Sequence, residues 1–244
     1  MTEGGASAPE RGAEDEPAAP RVGVAIPAAG SGRRMGGVRK PFLNLLGEPT
    51  LLHALRPFLA DPRVVRITVA LAPDDAADPP PWIEELDRRI RVIAGGDTRG
   101  ASVALAIRAL PDDLDVIAVH DAARPLVTAE LVATCIEVAA AGVGAVAGCP
   151  AVDTMKTVDD DATIVGTPDR STLWHAHTPQ VFPASLLREA YDRGDGTATD
   201  DAGLVERIGG VVRMVDDGGA NPKVTNPRDV MVAEALLRTR APDG

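Results

Sequence analysis

Short apolar runs alternate along this chain with stretches of helical periodicity, and that alternation leaves few folds open. Residues 22–26, 64–71, 115–120 and 143–149 are built mainly of Val, Ile, Leu and Ala, and residues 90–94 repeat the pattern more weakly. Unbroken apolar runs of this length suit strands buried on both faces, the habit of parallel sheets. Between them, residues 49–59, 102–110, 128–141 and 226–239 place apolar side chains three and four apart, the spacing of a helix with one buried stripe. Thr128 and Asn226 stand where N-caps belong. The alternation predicts an α/β fold: a Rossmann-like, mostly parallel sheet with helices on both faces. Ligands of such sheets bind beyond the carboxyl ends of the strands. Chemistry is therefore expected just after Ile26, Ala94 and His120.

The chain has 244 residues, enough for one α/β domain that needs no disulfide or metal to fold. That domain is expected over residues 21–240. Residues 1–20 are Gly, Ala, Pro and acid, too polar to offset their ordering entropy, and they predict a disordered tail. They carry no apolar core of a signal peptide, and no apolar run reaches the ~18 residues of a membrane span. A cytoplasmic protein is expected. The formal net charge of −11 disfavours nucleic acid and anionic membrane as partners. Any phosphate-binding function must then concentrate its cations locally. Cys135 and Cys149 match no metal or redox spacing. His120, His175 and His177 form no metal set with a cysteine or carboxylate at a known spacing, so structural roles are expected for all of them.

Three motifs fall where ligands should bind. The first, PAAGSGRRMGG, spans residues 27–37. Gly30, Gly32, Gly36 and Gly37 let backbone amides approach an anion closely, and Arg33, Arg34 and Lys40 add charge there. No Gly-Lys-Ser/Thr follows, and the glycine spacing misses the dinucleotide fingerprint by one residue. The second, GGDTRGAS at residues 95–102, follows a strand and opens a helix. Helix-start amides attract anions and polar ring edges, and Asp97 and Ser102 could read a base or ribose. A plain strand-to-helix turn fits that stretch equally well. The third, VHDAARP at residues 119–125, ends a strand at Asp121. That carboxylate could hold ribose hydroxyls or a magnesium ion, and Arg124 could clamp a phosphate; a structural Asp–Arg pair is the plainer alternative.

Residues 151–172 break the alternation. Two short β-like runs flank the turn DDDAT, which predicts a projecting β-hairpin arm. The pattern alone does not separate an arm that embraces a partner from a plain surface hairpin.

Taken with DTMKTV, LWHAHTPQVFP, TDDAG and NPKVTNPRD, these motifs occur in the order found in 2-C-methyl-D-erythritol 4-phosphate cytidylyltransferases, and the chain resembles that family over residues 22–240. It departs from the family at Arg39 and Pro222, where a proline and an apolar residue are usual. The resemblance implies that CTP is held by Pro27, Ala28, Ala29, Gly30, Ser31 and Gly32, with Gly96, Asp97, Ser102 and Ala122 on the cytosine and ribose side. It implies that Arg34 and Lys40 stabilise charge at the α-phosphate. Asp121, Arg124, Thr154, Arg170, Thr199 and Lys223 would position the phosphorylated acceptor, with Arg170 and Lys223 joining the catalytic cations. Thr154 and Arg170 would reach in from the hairpin arm of a partner, making a homodimer, and magnesium would accompany the triphosphate. A ribitol 5-phosphate cytidylyltransferase would share the nucleotide loop. A non-catalytic nucleotide-binding regulator would share the fold. The stretches DTMK and LWHAHTPQ favour the methylerythritol acceptor.

Overall fold

A computed structural model describes residues 18–30, 39–194 and 198–240. The expected tail therefore lies outside the described residues, apart from its last three positions. In chain order the elements are β1 (Val22–Ala28), β2 (Asn44–Leu45), β3 (Glu48–Pro49), α1 (Thr50–Ala60), β4 (Val64–Leu71), α2 (Pro73–Ala77), α3 (Trp82–Leu86), β5 (Ile90–Ala94), α4 (Arg99–Arg108), β6 (Val116–Val119), α5 (Ala129–Ala140), β7 (Gly144–Pro150), β8 (Thr157–Val158), β9 (Ile164–Gly166), β10 (Trp174–Pro183), α6 (Ala184–Arg193), α7 (Asp201–Arg207), β11 (Val212–Asp216) and α8 (Pro227–Arg240). The five apolar runs are all strands, within one or two residues. Thr128 and Asn226 cap α5 and α8: the Thr128 hydroxyl accepts from Leu131 N at 3.2 Å, and Asn226 Oδ1 accepts from Arg228 N at 2.9 Å. Helix α4 begins three residues earlier than its periodicity suggests, because Thr98 accepts from Ala101 N at 3.0 Å and starts it.

Seven strands form the main sheet in the order β11-β7-β10-β6-β1-β4-β5. Neighbours run parallel except around β10, which is antiparallel to both β6 and β7. Period-two alternation splits each central strand between two cores. Val22, Val24 and Ile26 of β1 face α1 and α5, together with Val116 and Ala118 of β6. Ala25, Ile117 and Val119 face α4, α6 and α7. A third, small cluster of Leu45, Leu126, Val224 and Ala233 seats α8. No helix among the described residues is long and apolar enough to cross a membrane.

From β1 the chain first winds outward through β4 to β5, then crosses through α4 to β6 on the other side of β1. A crevice must open at that reversal, because the connections on its two sides diverge. Arm strands β8 and β9 pair antiparallel away from the main sheet, as the break in sequence pattern predicts.

Candidate active site

The cleft at the reversal has a volume of about 500 Å³. Pro27, Ala28, Ala29 and Gly30 of the first motif line it, with Gly96, Asp97 and Ser102 of the second and Asp121 and Ala122 of the third. Lys40 and Lys223 complete the wall. Ser31, Gly32 and Arg34 lie outside the described residues.

Close backbone approach explains the paired glycines of the second motif. A Cβ on Gly95 would stand 2.7 Å from Ala29 Cβ and 3.1 Å from Leu71 O, so any side chain there pushes the α4 turn off the β1 loop. Gly95→Ala is expected to cost about 1–3 kcal/mol through that overpacking and to weaken nucleotide binding. A thermal melt and a CTP titration check both effects; wild-type values for the two would discard the close-approach argument. Ser102 is mostly buried at the cleft wall, and its hydroxyl accepts from Gly96 N at 3.1 Å and lies 2.9 Å from Thr98 O, so it also shapes the turn.

Asp121 is the hub of the charges along one side of the cleft. Its Oδ1 accepts from Arg99 Nε at 2.8 Å and its Oδ2 from Lys223 Nζ at 2.5 Å. Its backbone N donates to Thr178 Oγ1 at 3.0 Å. Burial alone would raise its pKa, but the two facing cations outweigh burial and hold the carboxyl well below the usual range. Arg99 then reaches across to Asp201, with Nη2 2.8 Å from Oδ2. Asp201 is fully buried and also accepts from Tyr191 Oη at 2.5 Å. The result is a continuous chain of charge, Lys223–Asp121–Arg99–Asp201. Sequence reading missed Arg99 and Asp201 although both lie in quoted motifs. Nothing in their spacing announces a contact between the start of α4 and the start of α7.

Each carboxylate oxygen of Asp121 faces a cation, so a magnesium ion bound there would share the carboxylate with Arg99 and Lys223. The same contacts make Asp121 the anchor that aims Lys223.

Arg124 sits behind the cleft wall. It is 8% exposed, does not line the cleft, and donates through Nη1 to Asn221 O at 2.7 Å. Asn221 Nδ2 donates in turn to Thr178 O at 2.7 Å. Arg124 therefore ties the Lys223 loop to the strand end through Nη1, while its Nε is a buried donor with no partner among the described residues. His120 supports the same corner: burial lowers its pKa to about 4, and Nε2 contacts Arg124 O at 3.0 Å. A neutral imidazole held this way is structural, as expected. Lys40 opens a single 3-10 turn (Lys40–Phe42) whose Pro41 is buried. The unusual Arg39 beside it forms ion pairs with Asp74 and Asp75, which ties this segment to α2.

Three expected acceptor residues lie elsewhere in the single chain. Thr154 and Arg170 are exposed on the arm, where Arg170 Nη1 donates to Val152 O at 2.6 Å. Thr199 is exposed beside a second cavity near Tyr191 and Asp201.

Residues 22–239 match the family model described as 2-C-methyl-D-erythritol 4-phosphate cytidylyltransferase. The chain belongs to this family. It is 43% identical over 224 residues to the cytidylyltransferase of Symbiobacterium thermophilum, covering 90% of this chain and 94% of the relative. The Microcystis aeruginosa relative is 38% identical, covering 88% and 98%. Among solved structures, 4-diphosphocytidyl-2C-methyl-D-erythritol synthase from Anaerococcus prevotii superposes with a TM-score of 0.80 at 27% identity, covering 90% of this chain and 97% of that one. The Thermus thermophilus cytidylyltransferase superposes at 0.73 with 33% identity, covering 88% and 98%. The enzyme is thus a cytidylyltransferase of the non-mevalonate isoprenoid route, with an α/β fold shared by its solved relatives. The comparisons favour the methylerythritol acceptor over ribitol 5-phosphate and an enzyme over a regulator.

Proposed function

We propose that the cleft binds CTP along the β1 loop and the start of α4, and that 2-C-methyl-D-erythritol 4-phosphate approaches from the Asp121–Lys223 side. An oxygen of the acceptor's phosphate attacks the α-phosphorus of CTP. The new P–O bond forms as the bond to the β-phosphate breaks, and pyrophosphate leaves in line. A phosphate monoester has a second pKa near 6, so the nucleophile is ionised at neutral pH and no general base is needed. Catalysis rests on positioning and on charge stabilisation. Arg34 and Lys40 are assigned to the α-phosphate, and Lys223, aimed by Asp121, to the acceptor phosphate. Magnesium would accompany the triphosphate and offset its charge. The observation that carries this reading is the convergence of the β1 loop, the capped start of α4 and the cations Lys40, Arg99 and Lys223 on one cleft.

The arm is assigned to a homodimer. Val152, Val158, Ile164 and Val165 are 50–76% exposed on it, and this many exposed apolar side chains on a thin two-stranded hairpin support a covering partner. Thr154 and Arg170 then serve the partner's cleft. Thr199 remains at the rim beside α7, away from the reacting atoms. The enzyme is expected to work in the cytoplasm.

The test is pyrophosphate release with CTP, magnesium and either methylerythritol 4-phosphate or ribitol 5-phosphate. Release with the first acceptor alone is expected, and release with ribitol 5-phosphate alone overturns the acceptor assignment. Co-expressed Lys40→Ala and Arg170→Ala protomers test the arm. Half the dimers are mixed, and each mixed dimer holds one intact site of two, so about a quarter of wild-type activity should return. Mixed dimers as inactive as the parents would place Arg170 outside the partner's cleft.

A further inference from the structure

On the half of the sheet beyond the cleft, β11, β7 and β10 lie side by side. Asp216 pairs with Gly148 across one ladder, and His175 with Cys149 across the other. That register brings three donor side chains to one level: Cys149 near the end of β7, His177 in β10, and Asp217 just past β11. The thiol sulfur, an imidazole nitrogen and a carboxylate oxygen all lie within 4.8 Å of one another. His177 Nδ1 already contacts Asp217 Oδ2 at 2.7 Å. The Asp217 side chain is 1% exposed, its backbone N donates to Gly148 O at 2.8 Å, and its Oδ1 accepts from Gly219 N at 2.9 Å. Two of the three donors are therefore fixed before any ion arrives.

We infer that Cys149, His177 and Asp217 form a zinc site. The donor set selects the metal. Zinc accepts thiolate, imidazole and carboxylate together, whereas magnesium and calcium take oxygen ligands and reject a thiol. Zinc bonds of about 2.0–2.3 Å in tetrahedral array hold ligand atoms roughly 3.3–3.7 Å apart, so a separation at the 4.8 Å limit closes by about 1 Å on binding, and the 2.7 Å His177–Asp217 contact opens if both of those atoms ligate. Water takes the fourth position. Other uses of the thiol fit less well. Burial and the nearby Asp217 and Asp216 raise the Cys149 pKa, which suppresses a reactive thiolate, while a bound dication reverses that and deprotonates the thiol.

The site would act as a clip under the catalytic corner. Asp217 opens the loop that carries Lys223, and His177 precedes Thr178, whose hydroxyl holds the Asp121 amide. Zinc would pin the loop to β10 and β7 without touching the cleft.

The experiment is a zinc titration of the purified full-length chain against a chromophoric chelator. One zinc per chain is expected. Cys149→Ser and His177→Gln should each weaken binding by ~10-fold or more, the loss that even an outer partner's removal brings. Cobalt in place of zinc should give a thiolate-to-metal charge-transfer band that disappears in Cys149→Ser. Zinc should raise the melting temperature of the wild type and not of Cys149→Ser. A zinc-free melt of Cys149→Ser matching the wild type confirms that the variant folds. A wild type that takes up no zinc overturns the proposal, as does a Cys149→Ser protein that binds as tightly with the cobalt band intact.

Discussion

Arg99→Ala is expected to lower the melting temperature by roughly 6–20 °C. The guanidinium bridges two carboxylates, with Nε 2.8 Å from Asp121 and Nη2 2.8 Å from the fully buried Asp201. Removing it leaves Asp201 with Tyr191 as a neutral partner and no facing cation. Breaking a buried pair this way costs about 3–5 kcal/mol, and a domain of this size loses about 2–4 °C per kcal/mol. Arg99→Lys should rescue little, because a single ammonium cannot span both carboxylates as the planar fork does. Asp201→Asn in the Arg99→Ala background should recover part of the loss by removing the stranded charge. The deficit also has a pH signature. Asp121 titrates below its unfolded value, near 4, so its contribution is present above that pH and is lost as pH falls through the depressed folded value. Without Arg99 that folded value rises, and the gap between variant and wild type should narrow on acidification. Calorimetry at pH 7 and in steps below pH 4 measures all of this. An Arg99→Ala melt within 1 °C of wild type would show that the bridge is not a support of the fold.

Lys40→Ala should produce the opposite division of effects, with turnover falling ~10²–10³-fold as expected for loss of one preorganised charge at the reacting phosphate. Lys40 lines the cleft and is held there by backbone: a buried Pro41 on one side and the Arg39 ion pairs with α2 on the other. Removing the side chain leaves that scaffold standing, so the melt should move far less than for Arg99→Ala. Pyrophosphate release and a melt on the same preparation separate the two cases. Wild-type turnover in a folded Lys40→Ala protein would remove Lys40 from the mechanism.

The sequence by itself determined the sheet's inner strands, because β1, β4, β6 and most of β7 are largely buried on both faces and therefore mainly apolar, with Arg66 and Thr68 of β4 as exceptions. It determined the placing of the ligand motifs after strand ends, because the glycines there answer to local backbone needs. The hairpin was legible from its turn residues. The sequence did not reveal β10: the first half of Trp174–Pro183 is exposed and the second half buried, so neither alternation nor an unbroken apolar run marks it. Nor did it show the partners of Arg124 and Asp121, which are the Asn221 carbonyl 97 positions away for the first and Arg99 and Lys223, 22 and 102 positions away, for the second. Only the tertiary structure decided those partners, and it alone brought Cys149, His177 and Asp217 together. Spacing along the chain reports contacts within one element, whereas a charge bridge or a ligand set across three strands depends on sheet order, which is fixed by packing of the whole domain.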